Sequence, residues 1–224
     1  MDRATKTAFV IVMIAAVVTP ITAEDFTEWI PEETGVFPLG WSENGTVLAF
    51  GWFVTTQMIT NGSQIMVTIQ DLVTDEILWQ DGQMWEESNV GEGDTSPPIP
   101  KTASAAWAVF GDTALSALGR YGVVRADNHG LRSSPTVFED SVHARIIVDE
   151  DSGTYELRAY SDNLGEKRIS GGEFHYDIEI AGYTVNRDWT RMAVFLQRSS
   201  FDRPFPSYEA VGCHLKAGFQ RIGR

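Results

Sequence analysis

The chain reads as a mainly β protein: antiparallel meanders with one short α-helical insert. Three observations predict this. Short runs rich in β-branched and aromatic residues recur along the chain. Asn-Gly and Asp-rich turns separate several of them, and such turns supply the left-handed backbone a tight hairpin needs. Only one stretch, 102–119, carries apolar residues at helical spacing.

The first 23 residues read as an address. Arg3 and Lys6 precede a continuous apolar run from Ala8 to Val18, and Thr19-Pro20-Ile21-Thr22-Ala23 follows as a cleavage region. This is the pattern of a secretory signal peptide cut after Ala23. The run falls short of the ~20 residues a membrane span needs, so no span is expected in the mature chain. The expected location is secreted or periplasmic. The remainder, 24–224, is read as a single mainly-β domain.

Residues 37–80 form the clearest unit. Strand-like runs cover Phe37–Ser42, Thr46–Phe53, Gln64–Asp71 and Glu76–Gln80. Asn44-Gly45 turns the first into the second, and Val73-Thr74-Asp75 turns the third into the fourth. Asn44-Gly45-Thr46 and Asn61-Gly62-Ser63 also match the glycosylation pattern, which Asn-Gly turns produce by accident. Residues 81–101 then change composition to Glu86, Glu87, Glu92, Asp94 and Pro97-Pro98-Ile99-Pro100, the pattern of a solvated acidic Pro/Gly loop. Over 102–119, Trp107, Phe110, Ala114 and Leu118 share one helical face. Thr102 or Asp112 can cap it and Gly119 or Gly122 can end it.

A second β region spans 143–215. His143–Val148 and Thr154–Tyr160 flank the hairpin loop Asp149-Glu150-Asp151-Ser152-Gly153, and Lys167–Ser170, Asp177–Tyr183, Arg191–Arg198 and Tyr208–Leu215 read as further strands. Gly182-Tyr183-Thr184, a polar turn, then Thr190 to Phe195 echo Gly40-Trp41-Ser42, a polar turn, then Thr46 to Phe50. The echo hints at two related β units.

Trp41-Ser42-Glu43-Asn44-Gly45, followed by Val47-Leu48-Ala49-Phe50, resembles the turn-and-strand signature of TolB-type and WD-type β-propeller blades. The likeness covers about one blade, 37–80, with a second near 178–198. The fold class it implies is antiparallel meanders resembling one or two propeller-type blades. A full propeller takes at least four blades, and the helical segment interrupts the array. As a whole the chain resembles uncharacterised, predicted secreted bacterial proteins that carry one such meander. Blade-type units generally serve as binding scaffolds, and the resemblance implies no catalytic residues and no cofactor.

Composition narrows the function classes. A formal net charge of -14 without a run of Lys or Arg argues against nucleic acid as partner. Cys213 is the single cysteine, so no intrachain disulfide can form and the domain holds by packing. Cys213 and His214 point to opposite faces of a strand, against a Cys–His pair. His129, His143, His175 and His214 lack ligand spacing. Asp149 and Asp151 are the densest carboxylates in an ordered loop and a weak candidate for a cation, though without the spacing of a calcium loop. Among the aromatics, Phe201 and Phe205 lie among prolines, where a sheet holds them poorly, and Trp85 lies within the acidic 81–101 loop. These three are the candidate partner-binding residues. The expected function is a non-catalytic binding or envelope-associated protein, its partner another envelope protein or a small ligand. The alternative is a hydrolase with a dispersed site using His175 or His214.

Overall fold

The strand runs from 35 to 56 are apolar on both sides of the pleat, and both sides are covered. A computed structural model of the chain describes residues 30–56, 61–87, 98–125, 131–132, 142–174, 177–199 and 205–220. β1 (Gly35–Ser42), β2 (Val47–Thr56), β3 (Gly62–Asp71) and β4 (Glu76–Glu86) form an antiparallel meander, and β5 (Val123–Arg125) adds to its far edge. The order is β4-β3-β2-β1-β5. Gly45 turns β1 into β2 at φ +67, and the Asn44 side chain closes that turn by accepting from Thr46 N–H and the Ser42 and Thr46 hydroxyls.

Alternation divides this sheet between two cores. Ala49, Phe53, Ile65, Val67 and Ile69 face α1 (Ala103–Arg120), which lays Ala106, Trp107, Phe110 and Ala114 against them. Its alanines let the helix approach closely. Thr102 caps it, its hydroxyl accepting from Ala105 N–H at 3.2 Å, and Gly122, at φ +62, follows its end. Gly111 does not break the helix: the Trp107 indole folds over it and leaves no room for a Cβ. Among the described residues no helix is long and apolar enough to cross a membrane.

Leu48, Phe50, Trp52 and Val54 face the other way, onto a second sheet of β9 (Ile178–Val185), β10 (Arg191–Arg198) and β11 (Ser207–His214), ordered β11-β10-β9. Phe50 meets Phe195 with ring centroids 5.3 Å apart, and Gln70 donates across the gap to the Ala210 carbonyl at 3.0 Å. The far face of β10 and β11 presents Met192, Val194, Leu196, Val211 and Cys213 to a third sheet, β6 (His143–Asp149), β7 (Thr154–Ser161) and β8 (Gly165–Glu173). Arg198 locks these two sheets, donating to Tyr155 Oη and pairing with Glu209, each at 2.7 Å.

The protein is therefore mainly β: among the described residues, one helix and three antiparallel meander sheets stack face to face, as blade-like meanders would. The two echoing stretches are the β1–β2 and β9–β10 hairpins. Their turns meet: buried Asn186 beside the second turn lies against Gly45 of the first. Two local readings differ from the structure. β4 continues through Asp81–Glu86, where a loop was expected, because β3 offers a partner at every step to Gly62↔Glu86. β5 carries too few residues to show a period, and pairing with Gly40–Ser42 creates it.

Candidate functional site

β5 stops short. It pairs β1 only at Gly40, Trp41 and Ser42, so on that side Gly35–Leu39 has no partner strand among the described residues. Pro38, which has no N–H to donate, lies in this uncovered half. In the neighbouring layer β9 is the outermost strand of its sheet, with Arg132 pairing to it at Tyr183. Between these two edges opens a cleft of about 750 Å³. That volume lies within the range of small-ligand sites.

The cleft is built from the register of the strands around it. Val36 and Val54, on the sandwich-facing side of β1 and β2, form its floor with Ala181 of β9. Tyr208 of β11 lines it, its ring 5.9 Å from Trp52 and its hydroxyl donating to Gln197 Oε1 at 2.8 Å. Burial pushes the Tyr208 phenol up, and the Glu179 carboxylate adds to the rise. Glu33 enters from the β1 side and Glu179 from β9, both exposed, while Arg125 at the end of β5 has interactions of its own. The lining is thus apolar at depth and acidic at the rim.

Two of the three residues expected from sequence to bind a partner lie in cores instead. Trp85 is 6% exposed in the core beneath α1, where β4 continues further than expected. Phe205 is 9% exposed between the first two sheets, so the Pro-flanked loop turns this ring inward. Phe201 lies outside the described residues. Pro206, one residue beyond Phe205, does reach the cleft.

Asp149 serves its own hairpin. Its Oδ1 accepts the N–H groups of Asp151 and Ser152 at 3.1 and 3.3 Å. Hydrogen bonds from Ser152 hold its carboxyl below the usual range. Asp149 and Asp151 have no distal carboxylate: among the described residues no three His, Cys, Asp or Glu converge on a metal position. Cys213 is buried among the β6–β8 packing residues, and burial pushes its thiol up. His214 Nδ1 accepts the N–H groups of Lys216 and Ala217 at 3.1 and 3.2 Å. His143 stacks on Tyr160 with centroids 5.6 Å apart, and His129 and His175 lie outside the described residues.

Sequence reasoning passed over Val36, Gln197, Glu179 and Tyr208. They come from four strands and share no motif. Pro38 inside a strand was the available sign, since proline marks an open edge. Comparison with protein-family models, curated proteins and solved structures finds no match.

Proposed function

We propose that this chain is a secreted or periplasmic, envelope-associated binding protein without catalytic activity, whose ligand site is the cleft between β1 and β9. The observation that carries this reading is the cleft itself: an apolar floor, a hydrogen-bonded Tyr208 and an acidic rim, with most of the lining on strands. The resemblance of 37–80 to propeller blades, generally binding scaffolds, leans the same way. Of the groups named for the hydrolase alternative, His175 lies outside the described residues, and the two that are described sit in packing and turn positions. Cys213 is a buried packing residue, and His214 Nδ1 is engaged in the turn after β11.

The test uses the chain from residue 24 and the neutral dye Nile red. The expected result is saturable, blue-shifted fluorescence that is lost in Glu179→Trp, with the thermal midpoint unchanged. Glu179 is exposed at the cleft and lies between Ile178 and Ile180, which pack toward the β6–β8 sheet, so the new ring turns into the cleft without entering a core. Equal dye binding by wild type and variant would remove the cleft from consideration. A turnover activity abolished by one polar substitution would overturn the non-catalytic reading.

A further inference from the structure

We infer that the cleft's ligand is an extended polypeptide segment that adds to β1 as a strand and sets a cationic side chain near Glu33 and Glu179. This rests on the cleft being the ligand site, and goes further by naming the chemistry of the occupant.

The backbone carries the first part of the argument. A β-strand presents N–H and C=O groups on both sides, and an open edge is a template for another strand. β1 is satisfied by β2 along one side, but on the other side β5 covers only Gly40–Ser42. Gly35–Leu39, some 17 Å of strand at ~3.3 Å per residue, runs along the cleft in line with β5. Pro38 contributes only its carbonyl, so the ladder is short and side-chain contacts must set much of the preference.

Alternation carries the second part. Successive side chains of an added strand point to opposite faces, so every other one would enter the gap above Val36, Val54, Ala181 and Tyr208. Those residues offer apolar surface and the Tyr208 hydroxyl, which suits Val, Thr or Ile. The intervening side chains would lie at the rim. Among the described lining residues the charged groups are Glu33, Glu179 and Arg125, a net negative set on a chain of net charge -14. A Lys or Arg at the rim is drawn in, and an acidic residue is repelled.

The experiment titrates the labelled chain from residue 24 with a nine-residue peptide, acetyl-Thr-Val-Lys-Val-Thr-Val-Lys-Val-Thr-amide. Two controls carry N-methyl groups on alternate backbone nitrogens, or glutamate in place of both lysines. Affinity is read by titration, and the site by amide hydrogen exchange at Val36, Phe37 and Leu39. The expected result is at least tenfold slower exchange at one or more of these amides on binding. At least tenfold weaker binding is expected for each control, with Glu179→Lys narrowing the gap between the lysine and glutamate peptides. Equal binding by the N-methylated peptide overturns strand addition, as does binding that leaves exchange along β1 unchanged. Exchange that slows with protein concentration alone would assign the edge to a second copy of this chain and equally overturn the proposal. If Nile red binds saturably and the peptide does not, the cleft stands as a ligand site and strand addition falls. If neither binds, both readings fall.

Discussion

β7 and β10 are both the middle strands of three-stranded antiparallel meanders, and they bury their residues differently. β7 alternates strictly: Tyr155, Leu157 and Ala159 face the neighbouring sheet, while Glu156, Arg158 and Tyr160 face outward. β10 has no outward face. Met192, Val194 and Leu196 pack toward the β6–β8 sheet, and Ala193 and Phe195 pack toward the five-stranded sheet. A run of consecutive apolar residues therefore counts covered faces, whereas alternation marks an outer layer. The stack of layers is written in that difference, with β2 repeating the β10 pattern one layer further in.

The sharpest way to break the comparison is to hollow out a side chain that β10 alone carries. Phe195 is fully buried against Phe50 on the face that β7 does not have. Phe195→Ala is expected to cost about 3–5 kcal/mol in urea denaturation. A cost under about 1 kcal/mol would mean that the second face of β10 is not a true core.

A smaller effect is expected where the two echoing hairpins meet. Asn186 is 1% exposed; its Oδ1 accepts from Thr190 and Arg191 N–H at 3.0 and 2.9 Å, and its Nδ2 donates to Thr190 Oγ1 at 3.0 Å. Asn186→Ala takes the acceptor from the part-buried Arg191 N–H and leaves Thr190 N–H only Asp188 Oδ1 at 3.4 Å, at about 1–3 kcal/mol. Asp, which keeps the acceptor, should lose less than Ala in the same denaturation measurement. Equal losses would show that the Oδ1 bonds do not hold the β9–β10 turn.

How much of this was legible follows from the same contrast. Strands such as Arg191–Arg198 declared themselves by composition, and α1 by the spacing of Trp107, Phe110, Ala114 and Leu118. β5 did not, because three residues of Val-Val-Arg become a strand only when Gly40–Ser42 supplies a partner. The cleft was illegible for a related reason: it exists where that pairing stops, and stopping leaves no mark on composition. Phe205 misled because proline neighbours signal a loop correctly but say nothing of which way a ring turns. Pro38 was the one local sign of an open edge.

Next in size is a pH effect at the end of β11, where the outer layers meet the C-terminal turn. Burial, and then the positive charges of Arg191 and Lys167, hold His214 below its ordinary value of 6.5, although Asp188 pulls the other way. Above about 6.5 both folded and unfolded states are neutral, and the fold keeps this contribution in full. As pH falls below that, the unfolded chain takes the proton first, and stability is lost until the lower folded-state value is reached. Protonation at Nδ1 would also end the bonds from Lys216 and Ala217. Urea midpoints measured from pH 7.5 down to 5 should decline in wild type and decline less in His214→Gln. Parallel curves would assign the slope to another group.

The smallest effect belongs to the outward face of β7, and its smallness is the point. Arg158 reaches Glu156 at 2.7 Å and Glu166 at 3.0 Å, a closed pattern of opposite charges along β7 and β8. All three side chains remain partly exposed to solvent, which screens their attraction and leaves each a hydrated alternative on unfolding. Arg158→Gln should therefore leave the thermal midpoint within measurement error at 0.15 M salt, with a drop emerging only at low ionic strength. Leu157, one residue earlier, is fully buried on the opposite face, and Leu157→Ala should cost about 2–5 kcal/mol. Neighbouring positions of one strand would then differ by most of the stability a single side chain can supply. If Arg158→Gln instead matched Leu157→Ala, the outward face of β7 would have to be covered, and the β6–β8 sheet would not be the outer layer of this stack.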